Sequence, residues 1–234
     1  MIFVCFILLI GSTPFLFSSN ENPEMRKEIV KIKYMNAHEA QNVLRQYISS
    51  KGKIQVIHSE NRLVIEDIPE VMEKLHSILK EIDVRPVDLQ FTIELILGSL
   101  ISGEKNEIQK ELRSDPVIKE LSSLLKYKSF KLLDSSIIKI QENKRSYQRM
   151  GGEGKSFKLS LYPRYIKEEK NEILQVELRL AEHMGINLEG KESTLTLIDT
   201  TLTLKSGERT VVGVSKLDGG DKALILIISG LVIE

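Results

Sequence analysis

Four histidines and one cysteine are the side chains of this chain best suited to metal binding or nucleophilic chemistry: His38, His58, His76, His183 and Cys5. None of the histidines stands at a metal-ligand spacing from another histidine or from the cysteine. His38 and His76 fall on the polar faces of predicted helices, where solvation accounts for them. His183, beside Glu182, reads as a loop residue at the end of a strand. The chain has no Gly-x-Ser-x-Gly nucleophile motif and no phosphate-binding glycine loop with its lysine. Gly151-Gly152-Glu153-Gly154 lies between two strand patterns with no helix after it, so it reads as a turn and not as an anion cradle. Lys139, Lys144, Arg145 and Arg149 form the most basic local run. Such a run can meet a lipid headgroup or nucleic acid, but a solvated strand face is its simpler account. The expectation is a chain without catalytic, cofactor-binding or metal-binding residues, and not an enzyme.

Composition agrees with a scaffold. Lys plus Arg number 33 and Asp plus Glu number 33, so no uniform field recruits nucleic acid. Hydrophobic residues make up 41% of the chain, aromatics only 6%, and tryptophan is absent, so the core must be aliphatic. Burying each such side chain is worth roughly 1.5–3 kcal/mol before entropy is subtracted. Cys5 cannot pair within the chain, and the fold must stand without disulfides.

The elements that carry this core follow from periodicity. Residues 1–20 read as an export signal, cleaved or kept as an anchor. Ile2 to Ile10 is apolar apart from Cys5, Phe15-Leu16-Phe17 extends it past Pro14, and Ser18-Ser19-Asn20 turns polar. The apolar run falls short of the ~20 residues that a membrane-spanning helix needs. A polar lead-in runs to Lys27. Residues 28–86 then read β-α-β-β-α. Val30, Ile32 and Tyr34 alternate with Lys31 and Lys33 as in a half-buried strand. Asn36 and Glu39 suggest a capping box for a helix whose stripe is Ala40, Val43, Leu44, Tyr47 and Ile48. Gly52 is expected as its left-handed cap. Ile54–Ile57 and Leu63–Ile65 are strands around a tight connection at His58–Asn61. Asp67 and Pro69 open a second helix with Val71, Leu75, Ile78, Leu79 and Ile82 on one face, and Asp83 to Pro86 stop it. This order places two helices on one face of a three-stranded sheet. RNA-binding KH domains share a related order but clamp their ligand with Gly-x-x-Gly; Gly52 stands alone here, so no nucleic-acid partner is expected.

The run from Ile29 to Pro86 resembles the N1-type periplasmic domain of secretins, the outer-membrane ring proteins of type II and type III secretion and of type IV pili. Asn61-Arg62-Leu63-Val64-Ile65, and Ile82-Asp83 followed by Pro86, carry most of the likeness. The resemblance implies a domain that stacks side by side into rings.

Residues 88–234 read as an antiparallel β-rich domain, so the fold class is α+β. Leu89–Leu97 is a strand, as the resemblance also implies after the second helix. Gly98 to Arg113, with Gly103, Glu104, Lys105 and Asn106, reads as a loop with part of a helix. Ser114-Asp115-Pro116 starts a helix. Phe130–Leu132 and Ile138–Ile140 read as short strands around Asp134-Ser135-Ser136. Ser146–Met150 and Lys155–Tyr162 form a hairpin, and alternation continues through Leu174–Leu180, Leu195–Leu197 and Leu202–Leu204. The close of the chain, from Thr200 to Ile233, is similar to the end of a secretin C-domain, with Gly207, Glu208, Val212 and Gly213 at matching positions. The family places a gate segment and long hairpins between those strands; here Ser215 to Lys222 reads as a tight turn. No stretch shows paired membrane strands of ~9–11 residues, so a gate-less, reduced relative that forms no pore is expected. The implied function is a non-enzymatic envelope protein, periplasmic or outer-membrane associated, that meets itself or other secretion or pilus components. Membrane association would come through the N-terminal segment. The alternative is a periplasmic ligand-binding or hydrolytic protein that uses the β-rich half.

Overall fold

The computed structural model describes residues 24–100, 108–152, 154–168, 171–186 and 192–233. The expected export signal at 1–20 and the loop residues Gly103 to Asn106 lie outside them, as does Glu153 of the glycine turn. The fold is α+β. The chain divides into two compact units, one ending at Arg85 and one beginning at Pro86.

The first unit runs β1 (Arg26–Lys31), α1 (Ala37–Leu44), β2 (Lys53–Ile57), β3 (Arg62–Asp67) and α2 (Pro69–Ile82). Its sheet order is β1-β3-β2, antiparallel throughout. Ile54, Leu63 and Ile65 of the sheet meet Ala40 and Leu44 of α1 and Leu75 and Leu79 of α2 in one core. Period-two alternation puts these strand residues on one face, and spacings of three and four do the same for the helices.

Local chemistry departs from the sequence reading at four points. First, β1 stops at Lys31, and the amides of Lys33, Tyr34 and Met35 turn to the Asp83 carboxylate instead of a ladder. Second, α1 is shorter than its stripe, although Asn36 caps it as expected, accepting from the His38 amide at 2.8 Å. The helix ends at Leu44, so Tyr47 and Ile48 lie beyond it. Third, Gly52 is not a left-handed cap. It is glycine because a Cβ there would stand 2.0 Å from Asp67 Oδ2. Fourth, Asp67 does not open α2, whose cap position is Ile68. Its fully buried carboxylate accepts from the Ser49 amide at 2.9 Å and the Ile68 amide at 2.8 Å.

The second unit is a two-sheet sandwich with a helix on one side. Its elements are β4 (Asp88–Ser99), α3 (Pro116–Leu124), β5 (Ser129–Gln141), β6 (Ser146–Gly152), β7 (Lys155–Lys167), β8 (Glu172–Ile186), β9 (Glu192–Lys205), β10 (Arg209–Leu217) and β11 (Lys222–Ile233). One sheet has the order β10-β11-β4-β5 and the other β6-β7-β8-β9. Phe91, Ile93, Leu224 and Leu226 of the first face Phe157, Leu159, Val176 and Leu178 of the second. Ile96, Ile225 and Ile227 point the other way, under Ile118 and Leu121 of α3. β4 and β11 are thus covered on both faces, which is why Ala223–Ile228 reads as an unbroken apolar run. α3 is fastened at its start. Asp115 caps it through the Val117 amide at 2.9 Å and also pairs with Arg209, which reaches Glu94 of β4 as well.

Strands here are longer than the sequence suggested. β5 is one strand of 13 residues; Asp134 does not break it but follows a bulge opposite Leu95 and Ile96. The Asp134 carboxylate accepts from the Gly151 amide at 2.8 Å, joining the bulge to the edge of the other sheet. β9 is likewise continuous over 14 residues, and His183 sits inside β8, opposite Thr194, not in a loop. β7, β8 and β9, of 13, 15 and 14 residues and paired in succession, thus correct the expectation that no stretch supplies paired strands of ~9–11 residues. β10 and β11 are joined through a short turn at Asp218–Gly220.

Burial acts to raise the Asp67 pKa, but hydrogen bonds from the Ser49 hydroxyl and from the Ser49 and Ile68 amides hold it below its ordinary value. A depressed folded-state value contributes stability that is fully present above the ordinary aspartate range, near about pH 4, and is lost as pH falls through the folded value. Asp67→Asn is expected to flatten the acid-side loss of stability of the first unit, read by denaturant unfolding across that range. An unchanged pH profile would contradict it. Gly52→Ala is expected to cost about 1–3 kcal/mol through the clash with the same carboxylate. Amide exchange in β3 should report this, with β4 and β11 unaffected.

Candidate protein interface

Asn61 fixes how the first unit presents its surfaces. It adopts a left-handed backbone, φ 52°, which asparagine tolerates better than most residues. Its Oδ1 accepts from the Ala37 amide at 2.8 Å, and its Nδ2 donates to the carbonyls of Ile32 and Met35, both at 3.0 Å. Its own carbonyl accepts from the Ile32 amide at 3.0 Å. Asp83, just past α2, accepts from the amides of Lys33, Tyr34 and Met35 at 2.8, 2.7 and 3.2 Å. The segment between β1 and α1 is therefore held from two sides, and the register of β1 against β3 is set.

Two contrasting surfaces result. The sheet face away from the helices has Ile29 opposite Val64 and Val64 opposite Gln55, with Ile57 beside Arg62. Lys27, Lys31, Lys53 and Arg62 surround this small apolar centre, with Glu66 among them. Ile29 is 61% exposed, an uncovered branched side chain on the β1 edge strand of that face. On α2, Met72, Leu75 and Leu79 are buried, while Glu70, Glu73, Ser77 and Glu81 form an exposed ridge with Lys74 and Lys80 exposed beside it. Lys74 lies over the Tyr47 ring, 5.1 Å from its centroid. The sheet face is basic with an apolar centre, and the α2 ridge carries three carboxylates flanked by two lysines.

The histidines do not converge. His38 and His58 approach each other, with ring centroids 6.4 Å apart, and His76 Nε2 lies 3.0 Å from Glu28 Oε2. His183 is far along the chain in β8. Among the described residues, no group of three His, Cys, Asp or Glu is placed to hold a metal. Sequence reading singled out none of Lys27, Lys53 and Glu73. Alternation within β1 and helical spacing within α2 sort them onto faces, but only the strand order brings Lys27, Lys53 and Arg62 together. Asn61→Ala is expected to destabilise the first unit by about 2–3 kcal/mol, since it strands one amide and two carbonyls in a partly buried turn. Asn61→Gly, which keeps the left-handed backbone, should be no worse. Thermal unfolding monitored on the first unit tests both.

Residues 27–87 match the Secretin_N family, the bacterial type II/III secretion system short domain. No curated protein matches the sequence. Among solved structures, the type IV competence pilus secretin PilQ of V. cholerae is similar at 13% identity and a TM-score of 0.54, over 92% of this chain and 79% of that one. The type II secretin GspD of enteropathogenic Escherichia coli is similar at 15% identity and 0.55, over 89% and 87%. The β-barrel secretin domain of InvG from the Salmonella SPI-1 injectisome gives 10% and 0.52, over 91% and 89%. At such identities the likeness is one of fold. Residues 27–87 carry a Secretin_N domain, and the chain's fold is similar to that of solved secretins.

Proposed function

We infer that this chain is a non-enzymatic structural component of a bacterial secretion or pilus-type envelope assembly, and that copies of it associate side by side through the first unit. The observation that carries this reading is the complementarity of its two surfaces. The basic sheet face, with Ile29 and Val64 on it, suits the Glu70, Glu73 and Glu81 carboxylates of the α2 ridge of a neighbouring copy. Such a contact is heterologous: it uses a different patch on each partner, so it closes into a ring or continues as a filament. The Secretin_N match over the same residues favours the ring. In the second unit, β10 passes to β11 through the turn at Asp218–Gly220, at the point where a gate segment is expected in the family. This supports a relative reduced to its scaffold, placed in the periplasm or at the outer membrane.

Native mass of the full chain, extracted gently from the envelope, tests the reading. A discrete assembly is expected, and Glu73→Lys or Lys31→Glu alone should break it towards single chains. Mixing the two variants should restore a mixed contact, because each supplies the charge that the other lost. A wild-type chain that stays monomeric at all concentrations would overturn the proposal.

A further inference from the structure

We propose that the outward face of the β6-β7-β8-β9 sheet binds the phosphate of an anionic lipid headgroup. Lys158, Arg145 and Arg179 converge there on a depression of about 270 Å³ whose wall also carries Ser160, Thr194 and Tyr147. The basic run noted in the sequence supplies only part of this. Arg145 comes from it, whereas Lys158 and Arg179 arrive from β7 and β8, brought together by the strand register: Tyr147 opposite Ser160, and Ser160 opposite Arg179.

The chemistry is that of phosphate recognition. Guanidinium forks bind two phosphate oxygens at once, an ammonium adds a point charge, and hydroxyls complete the shell. Arg145 Nη1 already lies 3.3 Å from Ser160 Oγ, and Arg179 Nη2 donates to Thr196 Oγ1 at 2.7 Å, so both guanidinium groups are held on this face. Their carboxylate partners, Glu177 at 3.3 Å and Asp199 at 3.8 Å, do not line the depression. Among the described residues, no acidic side chain lines it. Lys158 lies over the Tyr147 ring, 5.6 Å from its centroid, which leaves a cation beside an aromatic wall that is 63% exposed.

A second observation selects a lipid. Beyond the depression, β8 exposes Met184 and Ile186, at 60% and 72%. Ile186 pairs with Glu192, two residues before Thr194 of the depression wall and so on the same face. A bare phosphate ester has no use for two exposed apolar side chains at that end of the sheet. A headgroup at a membrane surface does, because apolar side chains beside bound phosphates enter the acyl boundary. The inference is independent of the stacking proposed for the first unit.

Vesicle flotation of the full chain tests it, comparing phosphatidylcholine vesicles with and without phosphatidic acid. The uncharged apolar N-terminal stretch contributes to both, so the quantity of interest is the preference for phosphatidic acid. Lys158→Gln and Arg179→Gln are each expected to lower that preference roughly fivefold, the effect of one basic residue at an anionic surface. Lys119→Gln, on α3, should leave it unchanged. Ile186→Ser with Met184→Ser should weaken binding to both vesicle types. Circular dichroism melts of every variant confirm that the sandwich is intact. An equal loss for Lys119→Gln would reduce the effect to net charge and overturn the proposal. So would the absence of any preference, or full competition by glycerol phosphate, which would make the site one for a soluble phosphate ester.

Discussion

Every backbone amide that leaves a strand or helix must find another acceptor, and in the first unit Asn61, Asp83 and Asp67 meet this demand across long stretches of sequence. Asn61 takes the amide of Ala37, Asp83 takes those of Lys33, Tyr34 and Met35, and Asp67 takes those of Ser49 and Ile68. Each links segments far apart in sequence, so each fixes tertiary geometry and not merely a turn. With the Ile32–Ala37 crossing held at both ends, the two β1 faces cannot exchange, because a slip of one residue would turn Val30 outward and Ile29 into the core. The basic sheet face exists only because that register is enforced.

The second unit meets a different constraint. Its sheets bury apolar side chains between them, and one sheet must also receive α3 on its back. The helix start is fixed by charge as well as by packing: Asp115 both caps α3 and meets Arg209, which also holds Glu94. Burial works against the ionised form of Asp115, and the hydrogen bond and attraction of Arg209 outweigh it, leaving the pKa lowered. Glycine is needed inside this packing at Gly230, where a Cβ would stand 2.6 Å from Leu174 Cδ1 and 2.8 Å from Phe91 Cε1.

Periodicity made the element order of the first unit legible, because helix stripes and strand alternation are local signals. Pro69 and the stop at Asp83 placed α2 well for the same reason. The polar residues were visible but their duties were not. Asp67 looks like a helix cap in sequence and proves to be a buried acceptor for a distant amide, and Gly52 looks like a helix terminator and proves to be clearance for that carboxylate. Nothing within a few residues of either position encodes the other. In the second unit, short polar interruptions such as Asp134-Ser135-Ser136 hid the length of β5, an edge strand that tolerates polar residues and a bulge without ending. The basic sheet faces followed the same rule: which residues alternate outward was readable, but which strands lie side by side was not.

Strand order also bears on how the second unit folds. β4, its first strand, pairs along its whole length with β11, its last, from Asp88 opposite Ile233 to Ser99 opposite Lys222. These two strands are the centre of their sheet and the part buried on both sides. A nascent chain must therefore carry β4 with an open edge and two apolar faces until the final strand emerges. Closure over so long a loop is slow, because its entropy is lost before any pairing is gained. The arrangement makes the unit late to assemble, with the apolar faces and open edge of β4 exposed while it is incomplete.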